Sequence, residues 1–362
     1  MNINKMKIYV KFITSIFLKS FLYVFVVILS LVFILNLLGE LDFFREIKIN
    51  STFLIYLALL NSPAMIFEML PFIMLISSQL FFIKLYNNNE LDIFKYSGLK
   101  NSNILIILSI ISLLIGVMTT LVFYNFSSNM KNFYLEAKSK YSSDGKYLAV
   151  VTKNGLWIRD IIDGKILVIN SRKIEGNFLI DNFITEFDNK YNVKSNIKSE
   201  KIEISNKEWL INEARIYNKN TYEIEKVLKI STNFDLDRIQ GLYSNLTSLN
   251  LFELYELRQN YKKLNYSLTD VNLQILKLLV NPLLLFLITL FSSIIMLKIK
   301  HVTSATFKIS LGLFLSVIIY YMNNFFLVLG GTERISLSVS IFGPLFLLTL
   351  SNFLLLNKIN EK

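Results

Sequence analysis

Cysteine is absent from this 362-residue chain, and histidine occurs once, at His301. The first absence excludes disulfides, thiolate metal sites and cysteine nucleophiles. The second leaves no multi-histidine metal site and no serine–histidine–aspartate triad, and His301 reads as a basic loop residue. Proline is scarce as well: of Pro63, Pro71, Pro282 and Pro344, none falls between 127 and 270. There is no Gly-x-x-x-x-Gly-Lys-Ser/Thr phosphate loop, no serine nucleophile elbow and no His-Glu-x-x-His. Asp235 and Asp237 sit among strand and loop signals without pocket residues and read as solvated acids. The chain is therefore expected to be no enzyme, with no catalytic or metal-ligating residue and no cofactor of its own. The net charge of +11 does not signal nucleic acid, because the lysines are dispersed among acids and asparagines with no arginine-rich or stacking motif.

What the chain has instead is apolar length. Hydrophobic residues make up 53% of it, above the usual share for a soluble domain, and the mean hydropathy is +0.47. The first apolar run is too long for a cleaved signal peptide and lacks a small-residue cleavage site. A span needs about 20 apolar residues. Runs at 12–38, 52–86, 102–126, 272–297, 305–329 and 335–357 each suffice, so six membrane helices are expected. Pro63 and Pro71 remove two backbone donors from the second run, which predicts a bend or a re-entrant start. Lys19 and Lys277 lie near span ends. No buried acid is read at mid-membrane, which argues against an ion-coupled carrier.

Between spans two and three lies Asn88-Asn89-Glu90-Leu91-Asp92-Ile93-Phe94-Lys95-Tyr96-Ser97-Gly98-Leu99. Asn88 or Asn89 is expected to cap this stretch as a short helix, with Glu90 and Asp92 at its positive end and Gly98 as its stop. Spacing alone leaves a solvated connector and a docking helix equally open. Residues 127–270 change character, with short alternating runs at 147–151, 155–158, 165–169, 201–204 and 222–225. These predict an antiparallel sandwich or open barrel. Residues 247–263 then read as an amphipathic helix carrying Leu249, Phe252, Tyr255 and Leu257.

The basic residues Lys5, Lys7, Lys11, Lys84, Lys95, Lys100, Lys298, Lys300, Lys358 and Lys362 share one face, and only Arg45, Lys48 and Arg334 occupy the short loops opposite. The positive-inside rule then makes both termini and the 88–99 stretch cytoplasmic. The β insert falls outside, in the periplasm of a Gram-negative cell. A transport protein without its own energy source, but with a cytoplasmic docking helix, implies a separate motor.

Several stretches, in order, resemble the LptF/LptG permeases of lipopolysaccharide export. Pro63, then Leu70-Pro71-Phe72, then Glu90 to Leu99 resemble that family's second span and coupling helix. Leu156-Trp157-Ile158-Arg159 and Trp209 to Tyr217 resemble its periplasmic strands, and Lys277 to Leu283 the start of its fourth span. The Trp-Ile-Arg strand and Tyr321-Met322-Asn323 are more similar to LptG. Lys277 stands where the family often has arginine, and Tyr96 and Lys100 where smaller residues are usual.

The resemblance implies an inner-membrane α-helical protein with six transmembrane helices and a periplasmic antiparallel β-jelly-roll-like domain between helices 3 and 4. The expected boundaries are 1–126, 127–246, a connecting helix at 247–271, and 272–362. It also implies a second homologous permease, an LptB ATPase dimer that binds the ATP, LptC, a periplasmic LptA bridge, and lipopolysaccharide as cargo. Glu90, Leu91, Phe94, Lys95, Gly98 and Leu99 then become ATPase-coupling residues. Arg45, Lys48 and Lys277 are expected either to contact lipid phosphates or to be ordinary interfacial charge. Pro63, Pro71 and Pro282 are flexing elements or static kinks. Two other readings stay open: a membrane-anchored periplasmic ligand-binding protein for signalling or assembly, and an exporter of another lipid or lipoprotein.

Overall fold

The computed structural model describes residues 3–360 apart from 46–48, 140–147, 153–154, 163–164, 189, 219–220, 237–238, 240–245, 264–266 and 299–303. Its helices are α1 Ile3–Phe43, α2 Ser51–Asn87, α3 Glu90–Tyr96, α4 Asn101–Met118, α5 Tyr124–Ser139, α6 Leu251–Lys263, α7 Thr269–Lys298, α8 Ala305–Gly331 and α9 Leu337–Asn360. A π-helical turn, Thr119–Phe123, joins α4 to α5. The strands are β1 Leu148–Thr152, β2 Gly155–Ile162, β3 Lys165–Glu175, β4 Phe178–Phe187, β5 Val193–Glu203, β6 Glu208–Asn218 and β7 Thr221–Ser231. The chain divides into two compact units, Met1–Tyr134 with Asn272–Lys362, and Leu135–Val271.

Six helical stretches of the described residues are long and apolar enough to cross a membrane: 8–43, 51–87, 101–138, 269–298, 306–331 and 337–356. The second organises the helical unit, with 67% of its apolar window buried against 11% for the first. It is one continuous helix through Pro63 and Pro71. The re-entrant alternative is therefore corrected: a start outside the helix would expose backbone groups that a continuous ladder satisfies.

Small and polar side chains let neighbours approach α2 closely. Ser77 and Ser78 donate to the carbonyls of Ile73 and Met74, and Ser292 on α7 donates to the Leu75 carbonyl at 3.0 Å. Near the start of α2, Asn61 donates to Asn36 Oδ1 at 2.9 Å and accepts from Lys131 Nζ at 2.6 Å, while Asn36 donates to Ser62 Oγ at 3.1 Å. Tyr134 donates to the buried Glu40 at 2.8 Å.

Thus α1, α2 and α5 share one polar layer.

The seam between α4 and α7 is closer still. A Cβ on Gly116 would lie 2.6 Å from the Pro282 Cα, so only glycine fits. One turn further on, Asn281 donates to Thr120 Oγ1 at 3.2 Å, and Gln274 to the Tyr124 hydroxyl at 3.3 Å. The π turn, which the sequence did not announce, supplies the seam residue Thr120.

In the other unit the seven strands pair antiparallel in chain order. Strands β2 to β6 bury one common core, by alternate residues on β2 (Leu156 and Ile158), β3 (Leu167 and Ile169) and β6 (Trp209 and Ile211), and with the period broken between Leu179 and Ile184 on β4 and between Ile197 and Ile202 on β5. Asn233, just after β7, returns to β2, its N–H and Nδ2 each 2.8 Å from the buried Asp160 carboxylate. The sheet therefore rolls over its core, as a jelly-roll-like insert requires. Its bend falls where Ser171, Asn182 and Ser199 stand in register across β3, β4 and β5. All three are buried and bond to backbone carbonyls: Ser171 to Ile180, Asn182 to Leu179, Ser199 to Asn212. Asp181 and Glu213 beside this row have positive φ, 54° and 48°, the local strain of a re-aimed strand.

Helix α6 starts at Leu251, inside the expected 247–263. Asn250 and Glu253 form a capping box: Asn250 Oδ1 accepts from the N–H groups of Phe252 and Glu253, and Glu253 accepts from the Asn250 N–H. Its buried residues are Leu254 and Tyr261. Phe252 and Tyr255, read as the apolar side, are exposed, because the helix phase follows Leu254 rather than Phe252.

Candidate functional site

Helix α3, seven residues and about two turns long, is held against the end of the helical unit. Leu91 and Leu99 are buried and anchor it, and the Phe94 ring meets Phe12 of α1 edge-on, 5.9 Å between centroids. Gly98, at φ 82°, ends it as expected, with the Leu99 N–H reaching the Phe94 carbonyl at 2.9 Å. The expected asparagine cap is corrected. Asn89 occupies the N-cap position in the left-handed conformation and makes no side-chain cap bond, while Asn88 closes α2 and donates to Glu90 Oε1 at 3.1 Å. Two asparagines are used for a tight reversal here, since asparagine tolerates positive φ.

The face left outward carries Ile93, Lys95 and Tyr96, the last 92% exposed. Beside it opens a cleft of about 600 Å³ between α3 and α1, lined by Ile8, Tyr9, Phe12, Glu90, Phe94 and Gly98 among others. Tyr86, one turn before α3, donates to the Met296 carbonyl of α7 at 2.6 Å, and its ring lies 4.3 Å beneath Lys308 of α8. Displacement of α3 would thus reach α2, α7 and α8 together.

The other sequence-chosen residues are scattered. Arg45 is exposed beyond α1, and Lys48 lies outside the described residues. Lys277 is half-buried on α7 and lines a cleft with Glu68, Asn281, Tyr320, Asn323 and Asn324. Pro71 borders that same cleft, Pro282 is fixed against Gly116, and Pro63 follows the Asn61–Ser62 pair. The sequence reading passed over Glu68, an acid eighteen residues into a 37-residue span, and the expectation of no mid-membrane acid is corrected. Its single letter was the signal, diluted by the apolar run around it.

The family model of the lipopolysaccharide export system permease LptF/LptG matches residues 11–358, nearly the whole chain. The chain belongs to the LptF/LptG family. Comparison with curated proteins returns no match. The match spans both units, so the six helices and the rolled sheet are one LptF/LptG permease, a multi-pass membrane protein of a transport family. The stretches that suggested LptF/LptG fall on regular elements: Leu156–Arg159 on β2, Trp209–Tyr217 on β6, Lys277–Leu283 on α7 and Tyr321–Asn323 on α8.

Proposed function

We propose that this permease is the membrane subunit of an ATP-driven exporter that lifts lipopolysaccharide from the inner membrane and passes it toward a periplasmic bridge. Its motor is a separate pair of LptB ATPases seated on the cytoplasmic side against α3. A second homologous permease, LptC and LptA complete the assembly, with the rolled sheet in the periplasm and Arg45, Lys48 and Lys277 toward lipid phosphates. The single observation that carries this reading is the construction of α3. It is anchored inward by Leu91 and Leu99, presents Ile93, Lys95 and Tyr96 outward, and is tied through Tyr86 to three other helices. Burial assigns Leu91 and Leu99 to the chain's own packing, so the docking face is Ile93, Phe94, Lys95 and Tyr96 with Glu90 at its edge.

The test separates these two faces. The double change Ile93→Ala and Tyr96→Ala removes exposed anchors whose loss at an interface is worth about 2 kcal/mol or more, and leaves the fold intact. It should abolish ATPase co-purification and ATP-driven lipid release, with thermal stability unchanged. Leu91→Ala should instead lower the stability of the chain itself by about 2–5 kcal/mol. A double variant that keeps its ATPase and releases lipid at the wild-type rate would reduce α3 to a connector.

A further inference from the structure

The sheet unit buries one side of its strands, and the other side carries an ordered set of exposed side chains. Successive residues of a strand point to opposite faces. Ile158, Ile169, Ile184 and Ile197 stand in one register and are buried, so the residues beside them point outward. Trp157, Asn170, Phe183, Lys198, Arg215 and Ile224 form an unbroken row there, one residue from each of β2 to β7. The next outward row runs in the same way from Arg159 on β2 to Tyr217 and Tyr222 on β6 and β7, whose ring centroids are 5.3 Å apart. Neither row contains an acid, and Asp181 and Glu200 stand on the far side of the bend. Trp157 is 42% exposed and Phe183 45%, and neither ring meets another ring among the described residues. Lys198 and Arg215 are exposed and have no hydrogen bond or ion pair among them. A contiguous exposed patch of this kind marks an interaction surface.

Spacing and charge select its occupant. Trp157 and Phe183 lie on strands two apart, about 10 Å, with Asn170 on the strand between. In a β-1,4-linked glycan every second pyranose turns the same C–H face to one side, and two rings cover about that length. Lys198 and Arg215 continue the row on the next two strands, each about 5 Å further along, and call for negative charge. A lipid surface fits less well. The row runs across a flat face and not over loop tips, so immersing its rings would also strip water from Asn170, Lys198 and Arg215. A protein partner fits less well too, since interface centres are depleted in lysine.

We propose that this row binds a carboxylate-bearing β-1,4-linked glycan, the chemistry of the cell-wall polymer, and so holds the sheet unit against that polymer. This rests on the periplasmic placement of the sheet and adds a ligand that the export reading does not contain. Trp157 and Phe183 stack on alternate sugars and cover their apolar faces. Asn170 exchanges hydrogen bonds with the hydroxyls of the sugar between them. Lys198 and Arg215 donate charge-assisted bonds to carboxylates.

The experiment uses the purified full chain in detergent with soluble cell-wall glycan strands, read by acrylamide quenching of tryptophan fluorescence. The chain has two tryptophans, and Trp209 is wholly buried, so changes in quenching report Trp157. Glycan strands should shield Trp157. Uncharged chitin oligosaccharides of equal length should need a roughly tenfold higher concentration, the effect of losing one charge-assisted bond. The double change Lys198→Gln and Arg215→Gln should abolish that preference, whereas Phe183→Ala should weaken both ligands alike. All three residues are exposed, and an unchanged temperature of protease cleavage within 135–271 checks that the sheet is intact. The site is overturned if glycan strands leave Trp157 unshielded, or if these variants bind as wild type does. It is equally overturned if dextran sulfate, phosphatidylglycerol vesicles or the core oligosaccharide of lipopolysaccharide shields Trp157 as well as the strands do. All of these results leave ATPase co-purification unchanged, whereas failure of the export reading appears there and not in the quenching.

Discussion

Asp160 in the sheet unit is a buried acid and Glu68 in the helical unit an exposed one on a cleft, and they are treated in opposite ways. Asp160 is wholly buried and accepts from three donors: the Asn233 N–H, the Asn233 amide and the Ile161 N–H, all at 2.8 Å. Glu68 faces a cleft and has no partner in its own chain among the described residues. A buried carboxylate is tolerable when its acceptor sites are filled, and costly otherwise. The first acid therefore belongs to the architecture, where it pins the end of the rolled sheet onto β2. The second lies exposed on the cleft and is left out of the chain's own packing. The same contrast separates the helical polar layers around Asn61 and Gly116, which are internally satisfied, from the polar set around Lys277.

The comparison can be broken first at Asp160. Asp160→Ala leaves three part-buried donors without their acceptor and should destabilise the sheet unit by on the order of 3 kcal/mol or more, from bonds to charge worth about 1.5 kcal/mol each. Protease cleavage within 135–271 at lower temperature than in wild type is the measurement; an unshifted cleavage temperature would remove Asp160 from the architecture. Next is the helical seam. Gly116→Ala places a methyl 2.6 Å from the Pro282 Cα, and overpacking of that kind costs about 1–3 kcal/mol. A lower melting temperature in detergent, with the sheet unit's protease resistance unchanged, is expected; equal loss in both units would deny that they melt separately.

The smallest effect concerns an ion pair at the sheet surface. Partial burial raises the Glu186 pKa, but bonds from Lys165 at 3.0 Å and Ser195 at 3.0 Å, with Lys194 at 3.8 Å, outweigh it and hold the carboxyl below its ordinary value. Because the folded pKa lies below the unfolded one, about 4.3, the stabilisation is complete above that value and disappears as pH falls through the folded pKa. Lys165 is half-exposed, so screening by salt keeps the contribution small. Lys165→Gln should flatten this acid limb slightly while leaving neutral-pH stability nearly unchanged. A large loss at neutral pH would show that the pair contributes far more than an exposed ion pair does.

Much of the scaffold was legible. Each of the six spans is a run longer than a bilayer requires, and no packing is needed to recognise it. Gly98 announced the end of α3 because few other residues adopt its φ. Strands β2 and β3 were legible through alternation. Strand β4 was not, since Asp181 and the buried Asn182 interrupt the period at the bend. The α6 phase was misread for a related reason: Phe252 and Tyr255 carry the apolar area, yet burial follows Leu254. Of the candidate site, Glu90 to Leu99 was found as a stretch, but its faces were not. Leu91 and Leu99 differ from Ile93 only in which neighbours surround them.

The sequence alone determined that this chain spans a membrane six times and carries a β insert, because hydropathy and period are local properties of consecutive residues. It also determined the family, since residues 11–358 preserve that order of elements. Tertiary structure decided which polar residues are satisfied. Asp160 meets Asn233 across 73 positions, and Lys277 shares a cleft with Glu68 from across the intervening insert. Whether a charge is paired depends on groups distant in the chain, and that distance closes only when the helices and strands have assembled.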